Sequence, residues 1–344
     1  MRSPLPSWLD FFAIPAAWLY GRIVRIRNNY YDNGHNVKRV PLPVISVGNL
    51  TVGGTGKTPI VMWIVRRLRD HGYDPAIVMR GYASVDPSLA DEALEYREKL
   101  ENIEVIVGGD RFAQINSYLE QGGKADCLVM DDGFQHQQLH RDLDIVVLDF
   151  LRDTLSERVL PAGWLREPVN GLKRADAIVV SHAGRSDPTY AAEVQQVSNK
   201  KPIAWAAHRW TILHVHDAKG NREEQLDWLT GRSLAVRLGI GHPGPVVEAL
   251  VRLGAKITTQ MPAGDHQPFS AMEIDQLEET STRVDAIVMT LKDWVKARDV
   301  MDLQKMHCPI VVPNLQLDVV EGAEELESLL LHVIEDTMVS CKTT

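Results

Sequence analysis

The chain has 344 residues, 44% hydrophobic and 24% charged, the balance of an ordinary globular protein of about two domains. That balance excludes disordered, collagen-like and disulfide-rich secreted classes. A net charge of −9 argues against a general nucleic-acid binder, which is usually basic. Cys127, Cys308 and Cys341 lie far apart; they form neither a zinc spacing nor a disulfide framework and suit a reducing compartment.

The first forty residues carry six basic side chains against Asp10 and Asp32, a local +4 that leaves −13 for the remainder. Such asymmetry points to an anionic partner at that end. Within residues 8–26, Trp8, Phe11, Phe12, Trp18 and Leu19 are interrupted by Asp10 and Pro15 and followed by Arg22 and Arg25. The run is too short and broken to span a bilayer, which takes about 20 mostly apolar residues. Its charges follow the apolar stretch, unlike those of a secretory signal. Two readings stay open. One is an interfacial helix with aromatic rings at the acyl boundary and arginines among lipid phosphates. The other is a hydrophobic helix packed on the body or on a second copy.

Beyond residue 40, β-branched runs alternate with helical patterns. Strands are predicted at 43–47, 75–79, 104–107, 127–131, 144–149 and 177–181. Helices are predicted at 57–71 and 110–121, stopped by Gly72 and by Gly122-Gly123. Alternation of this kind implies crossover units and a mostly parallel sheet. Runs at 203–207 and 211–216 flank His208-Arg209-Trp210 and suggest a linker ribbon. A second alternating set follows: strand 233–238, helix 245–253, strand 256–259, helix 270–282, strands 286–290 and 309–313, and helix 322–335. The expected architecture is α/β: an N-terminal helix in 1–30, a larger sheet domain in 31–200, a linker in 201–225 and a smaller α/β domain in 226–344.

Between the first strand and the first long helix lies Gly48-Asn49-Leu50-Thr51-Val52-Gly53-Gly54-Thr55-Gly56-Lys57-Thr58-Pro59. A strand–Gly-rich turn–helix with Gly-Lys-Thr is the context of a P-loop. Glycines let successive N–H groups turn inward onto phosphate oxygens, and the helix start adds partial positive charge. Lys57 suits the β/γ-phosphates and the Thr58 hydroxyl suits Mg²⁺. Position 51 carries Thr where the strict pattern has Gly.

A P-loop also needs a carboxylate at a neighbouring strand end. Asp131-Asp132-Gly133 follows the apolar run 127–130, and Asp149 ends the next strand as a rival. Adjacent carboxylates repel, so each needs a cation or a donor to stay ionised; Mg²⁺ and Lys57 would supply that. Taken alone, Ser88-x-x-Asp91, with Glu92, reads first as a helix capping box. By themselves, His266 in Gly264-Asp265-His266-Gln267-Pro268 reads as a loop histidine and Arg166-Glu167 as a polar pair.

Taken together, these stretches resemble the tetraacyldisaccharide 4′-kinase family of the lipid A pathway. The carriers are the P-loop through Pro59, Arg80-Gly81-Tyr82, Asp131-Asp132-Gly133-Phe134-Gln135-His136, Leu160-Pro161-Ala162-Gly163 with Arg166-Glu167, Gly239-Ile240-Gly241-His242-Pro243, and Asp265-His266. The family's loop also has Ser or Thr at position 51. The resemblance implies a P-loop NTPase-like domain, a β-ribbon linker, a smaller α/β domain and a membrane-associating N-terminal helix. It implies transfer of the γ-phosphoryl of ATP, with Mg²⁺, to the 4′-hydroxyl of a tetraacyldisaccharide 1-phosphate, yielding lipid IVA.

The implied setting is peripheral, at the cytoplasmic face of the inner membrane. Residues 51–58 (Thr51, Val52, Gly53, Gly54, Thr55, Gly56, Lys57 and Thr58) would hold nucleotide. Thr58, Asp131 and Glu167 would serve the metal. Asp132 would be a catalytic-site carboxylate, and Asp91, accompanied by Glu92 and assisted by His266, the base. Two stretches depart from the family: Ala90-Asp91-Glu92-Ala93 stands where it has Gly-Asp-Glu-Pro, and Leu291 where Thr-Glu-Lys-Asp has Glu. The competing classes are a P-loop ATPase or GTPase switch on a membrane and an idle membrane-surface scaffold.

Overall fold

The structure, a computed structural model, describes residues 10–81, 91–240, 243–261 and 269–342. Its contacts divide the chain into two compact units, one from 1–82, 100–208 and 317–344, the other from 83–99 and 209–316.

The first unit is built on a parallel sheet. It contains β1 (Val44–Gly48), β2 (Pro75–Met79), β3 (Val105–Val107), β4 (Cys127–Asp131), β5 (Leu143–Asp149) and β6 (Ala177–Ser181). Their order is β6-β5-β1-β4-β2-β3, and neighbouring strands among them pair parallel, for example Val47 beside Asp131. Five of the six are buried along their whole length and mostly apolar, as a sheet covered on both faces requires. The predicted strands and helices of this part fall within about a residue or two of the observed ones.

α2 (Lys57–Asp70) buries Ile60, Val61, Ile64, Val65 and Leu68, an i, i+1, i+4, i+5, i+8 stripe. α4 (Arg111–Glu120) is started by Asp110, whose side chain accepts from the Ala113 amide. α5 (Pro188–Ser198), started the same way by Asp187, has no counterpart among the predicted helices.

α1 (Asp10–Asp32) packs one face on the first unit and leaves the other exposed. Ala13, Ala17, Gly21, Val24 and Asn28 are buried at 4-4-3-4 spacing, one helical face, with Ala13 and Ala17 clustered on Ala162 and Val159. The opposite face leaves Phe11, Phe12, Trp18, Leu19, Ile23 and Ile26 exposed.

In the second unit, β9 (Ser233–Arg237), β10 (Lys256–Met261), β11 (Ala286–Met289) and β12 (Ile310–Glu321) run parallel in the order β10-β9-β11-β12. α6 (Gly244–Arg252), α7 (Ala271–Ser281) and α8 (Leu291–Ala297) complete the alternation. Ser270 and Glu273 form a full capping box on α7.

Three features differ from the sequence-based expectation. The runs at 203–207 and 211–216 are one strand, β7 (Ala204–Asp217), which pairs antiparallel with β8 (Gly220–Glu224). His208-Arg209-Trp210 holds no turn former, so the chain stays extended until Asp217-Ala218-Lys219-Gly220. α3 (Asp91–Lys99) belongs with the second unit, where Glu98 pairs with Arg298 at 2.8 Å. The last helix, α9 (Ala323–Lys342), belongs with the first, where Glu327 meets Arg67 and His71 of α2. A single cut at 201–225 does not describe this interleaving.

Candidate active site

β1 delivers the chain into the Gly-rich loop. At its last residue an added Cβ would lie 2.4 Å from Cβ of Phe134, so only Gly48 permits that approach. Gly53 and Gly56 take left-handed φ of 101° and 78°, whereas Thr51 is absent from the positive-φ residues. Position 51 therefore makes no demand for glycine. Its side chain is buried and receives Asn49 Nδ2 at 3.4 Å, while the same amide donates to Thr55 Oγ1 at 2.9 Å. Segment 164–166 braces the loop from outside: Val52 N donates to Trp164 O at 2.8 Å and Arg166 N to Leu50 O at 2.7 Å.

At the loop's exit Lys57 opens α2 and reaches Asp132, Nζ to Oδ1, at 3.4 Å. Asp132 sits at φ 52°, a left-handed conformation that Asp tolerates better than most residues. Arg166 Nη1 donates to both of its oxygens, at 2.8 and 2.6 Å. Buried Arg111 fixes the backbone beneath by donating to Asp131 O at 2.8 Å and Asp132 O at 3.2 Å. Burial pushes the Asp132 carboxyl up, but Lys57, Arg166 and Arg111 outweigh it and hold it below the ordinary carboxylate range. The result is an ionised carboxylate that fixes two cations beside the loop where phosphate oxygens would bind.

Glu167 is fully buried. Its Oε2 accepts from Asn28 at 2.8 Å and Arg174 at 2.9 Å, and its Oε1 from Gln135 at 2.9 Å and Arg174 at 3.2 Å. Both oxygens are thus occupied by N–H donors. That differs from the metal-side role implied for it, because Arg174 already supplies the compensating charge. Asp149, the rival strand-end carboxylate, is likewise engaged, by His182 Nδ1 at 2.9 Å and Arg152 Nε at 3.3 Å.

Among the described residues no group of three or more His, Cys, Asp or Glu could hold a metal by itself. Thr58, next to Lys57, and Asp131, beside Val47 of β1, offer a hydroxyl and a carboxylate. Those are donors that Mg²⁺ takes while filling its other positions with phosphate and water, so this pair fits Mg²⁺ and Glu167 does not.

Asp91 heads α3, its side chain outside the described residues along with that of Glu92; His266 lies outside them too. In the second unit Asp293 is buried and accepts from Arg237, from Gly239 N at 2.9 Å and from Thr290 Oγ1 at 2.7 Å. Thr290 caps α8, so Asp293 anchors the chain that follows β9. The contributions of Arg111 and Arg166 are not visible in the sequence, where no local pattern links them to Asp132.

The family model described as tetraacyldisaccharide-1-P 4′-kinase matches residues 9–335. A tetraacyldisaccharide 4′-kinase of Halorhodospira halophila is 36% identical, with 85% of each chain covered. One of Syntrophus aciditrophicus is 32% identical over 97% of this chain and 95% of its own. The crystal structure of LpxK from Aquifex aeolicus, "apo" form in complex with ATP, superposes with a TM-score of 0.70 at 28% identity, covering 95% of this chain and 99% of that one.

Proposed function

This chain belongs to the tetraacyldisaccharide-1-P 4′-kinase family, and from that membership we propose how its residues divide the work. It is an ATP-dependent kinase that phosphorylates the 4′-hydroxyl of a tetraacyldisaccharide 1-phosphate in lipid A synthesis. The relatives give no support to a hydrolytic switch. The observation that carries the residue roles is the meeting of Lys57 and Arg166 on Asp132 at the mouth of the P-loop.

Phosphoryl transfer asks the protein mainly for position and charge. The amides of residues 53–58 hold the phosphates, and Lys57 takes the β/γ oxygens. Asp132 keeps Lys57 and Arg166 in place before substrate arrives, so the positive charge is preorganised rather than gathered during the reaction. Thr58 and Asp131 would hold Mg²⁺, which when bound neutralises charge on the phosphate oxygens. Glu167 supports this arrangement from beneath by orienting Gln135, whose amide also donates to Asn49 O at 2.8 Å. Asp91 accepts the proton of the 4′-hydroxyl, with His266 as its assistant. Lys57→Ala and Asp91→Ala are each expected to lower phosphoryl transfer about 10²–10⁴-fold with the fold intact. Near-normal turnover in Asp91→Ala would return that residue to helix capping.

The acceptor carries four acyl chains, so the enzyme works at a lipid surface. No described helix is long and apolar enough to cross a membrane. The outer face of α1 is suited to peripheral binding at the cytoplasmic face of the inner membrane. Its aromatic and aliphatic side chains are exposed, and Arg22, stacked on Trp18 at 5.0 Å, with Arg25 and Arg27 faces lipid phosphates, each contributing about 1 kcal/mol near an anionic surface.

A further inference from the structure

Arg166 and Glu167 lie on a stretch of chain, 157–168, that is neither helix nor strand and holds only turns and isolated bridges. A side chain that must keep a fixed geometry from such a stretch depends on bracing from outside it. The P-loop supplies one brace, where Arg166 N donates to Leu50 O at 2.7 Å. The others come from α1.

Tyr20 Oη donates to Arg166 O at 2.8 Å, so the main chain of Arg166 is held between the P-loop and the helix. Just over two turns further along α1, buried Asn28 donates from Nδ2 to Glu167 Oε2 at 2.8 Å. Glu167 Oε1 accepts from Gln135 Nε2 at 2.9 Å, and Arg166 Nη1 donates to Gln135 Oε1 at 3.4 Å. α1 therefore reaches Arg166 by two routes, one to its carbonyl and one through Glu167 and Gln135 to its guanidinium. Gly21 brings the helix close enough for both: a Cβ added there would lie 3.5 Å from Val159 Cγ2 and 3.8 Å from Pro168 Cγ. A helix that only anchors the enzyme needs an apolar outer face and basic residues. It has no use for an inward amide, whose burial is costly unless it is paired.

We propose that α1 belongs to the transfer site, with Tyr20 and Asn28 as positioning residues that hold the Arg166 guanidinium on Asp132. The proposal rests on the role given above to Arg166, a charge preorganised beside the phosphates. Both residues act through Arg166 rather than on the phosphates themselves. A small displacement of a charge-stabilising group is felt where charge develops in the transition state, so its cost falls on rate. The outer face of the same helix is the one suited to lipid. The element that seats the enzyme on its substrate's surface thus also sets the charge at the point of transfer.

The test uses the full chain with labelled ATP and a tetraacyldisaccharide 1-phosphate in detergent micelles. Tyr20→Phe keeps the ring and removes only the donor. Its kcat should fall about tenfold, the size of one lost hydrogen bond, while KM for ATP and binding to anionic liposomes stay at wild-type values. Asn28→Ala should lower kcat at least as much, because its partner is charged. If Asn28→Ala does not fold, Tyr20→Phe decides alone. The deciding measurement is the cycle with Arg166→Ala. Adding Tyr20→Phe to that variant should change kcat by less than about twofold, since its effect runs through the missing guanidinium. Wild-type kcat in Tyr20→Phe overturns the proposal. So does a full tenfold loss on top of Arg166→Ala, which would make the hydroxyl a general brace of the fold. Failure of the parent reading looks different: Arg166→Ala would itself turn over as fast as wild type.

Discussion

Glu167 is a charged side chain with no solvent contact, and it holds together three parts of the first unit: α1 through Asn28, the Asp-Asp-Gly-Phe-Gln-His turn through Gln135, and the chain before β6 through Arg174. Removing one partner of a buried pair leaves the other charge uncompensated. Glu167→Ala should therefore cost about 3–5 kcal/mol of stability, read by urea unfolding. A variant as stable as wild type would mean that water replaces the carboxylate. His136 makes a second prediction. Burial and the neighbouring Arg111 and Arg141 push its pKa from 6.5 down to about 4. Between those values the unfolded chain binds the proton and the folded one does not. The stability from this residue is complete above about pH 6.5 and is lost as pH falls toward 4. Unfolding free energies of wild type and His136→Leu, compared from pH 7.5 to 4.5, should show the variant less sensitive to acid in that window. Lys57 and Asp132 were legible because their chemistry sits in a contiguous motif. Arg111 and Arg166 were not, because each meets Asp132 from a distant place in the chain and nothing local announces the pairing.

α1 shows what a helical pattern can and cannot say. Its aromatic and arginine content was plain, but the small residues of its inner face, Ala13, Ala17 and Gly21, give a weak hydrophobic signal. Their use is close approach to Val159 and Ala162, which only the folded partner reveals. The two faces separate by mutation. Ala17→Leu forces extra volume into a packed contact and should destabilise by about 1–3 kcal/mol, measured by thermal unfolding. Phe12→Glu with Trp18→Glu should leave the melting temperature unchanged and reduce binding to anionic liposomes, with the remaining attraction weakened by salt. Undiminished liposome binding in that double variant would place the lipid contact elsewhere. Deleting the whole helix would test neither face cleanly, since it also strips Asn28 from Glu167. β7 offers the complementary case: two β-type runs were visible, but their fusion into one strand was decided by the missing turn residues at 208–210.

Across the whole molecule, the alternation of strands and helices was enough to give the mostly parallel character of the first unit's sheet, because buried parallel strands are largely apolar runs; the strand order was not legible. The exchange of α3 and α9 between units was not legible, since amphipathic helices carry no address and only their partners, Arg298 for Glu98 and Arg67 for Glu327, assign them. What the sheet accomplishes is placement: the P-loop leaves β1 with Lys57, Asp132 and Arg166 on one flank and Ser181 and His182 on the other. That layout serves transfer to an acceptor, and it can be tested against hydrolysis in one assay. Purified protein is incubated with γ-labelled ATP, with and without a tetraacyldisaccharide 1-phosphate in detergent micelles, and label is followed into lipid and into free phosphate. The account expects label to enter the lipid one for one with ATP consumed, little ATP loss when the lipid is omitted, and both to vanish in Lys57→Ala. ATP consumed at the same rate without acceptor, with all label released as free phosphate, would contradict it.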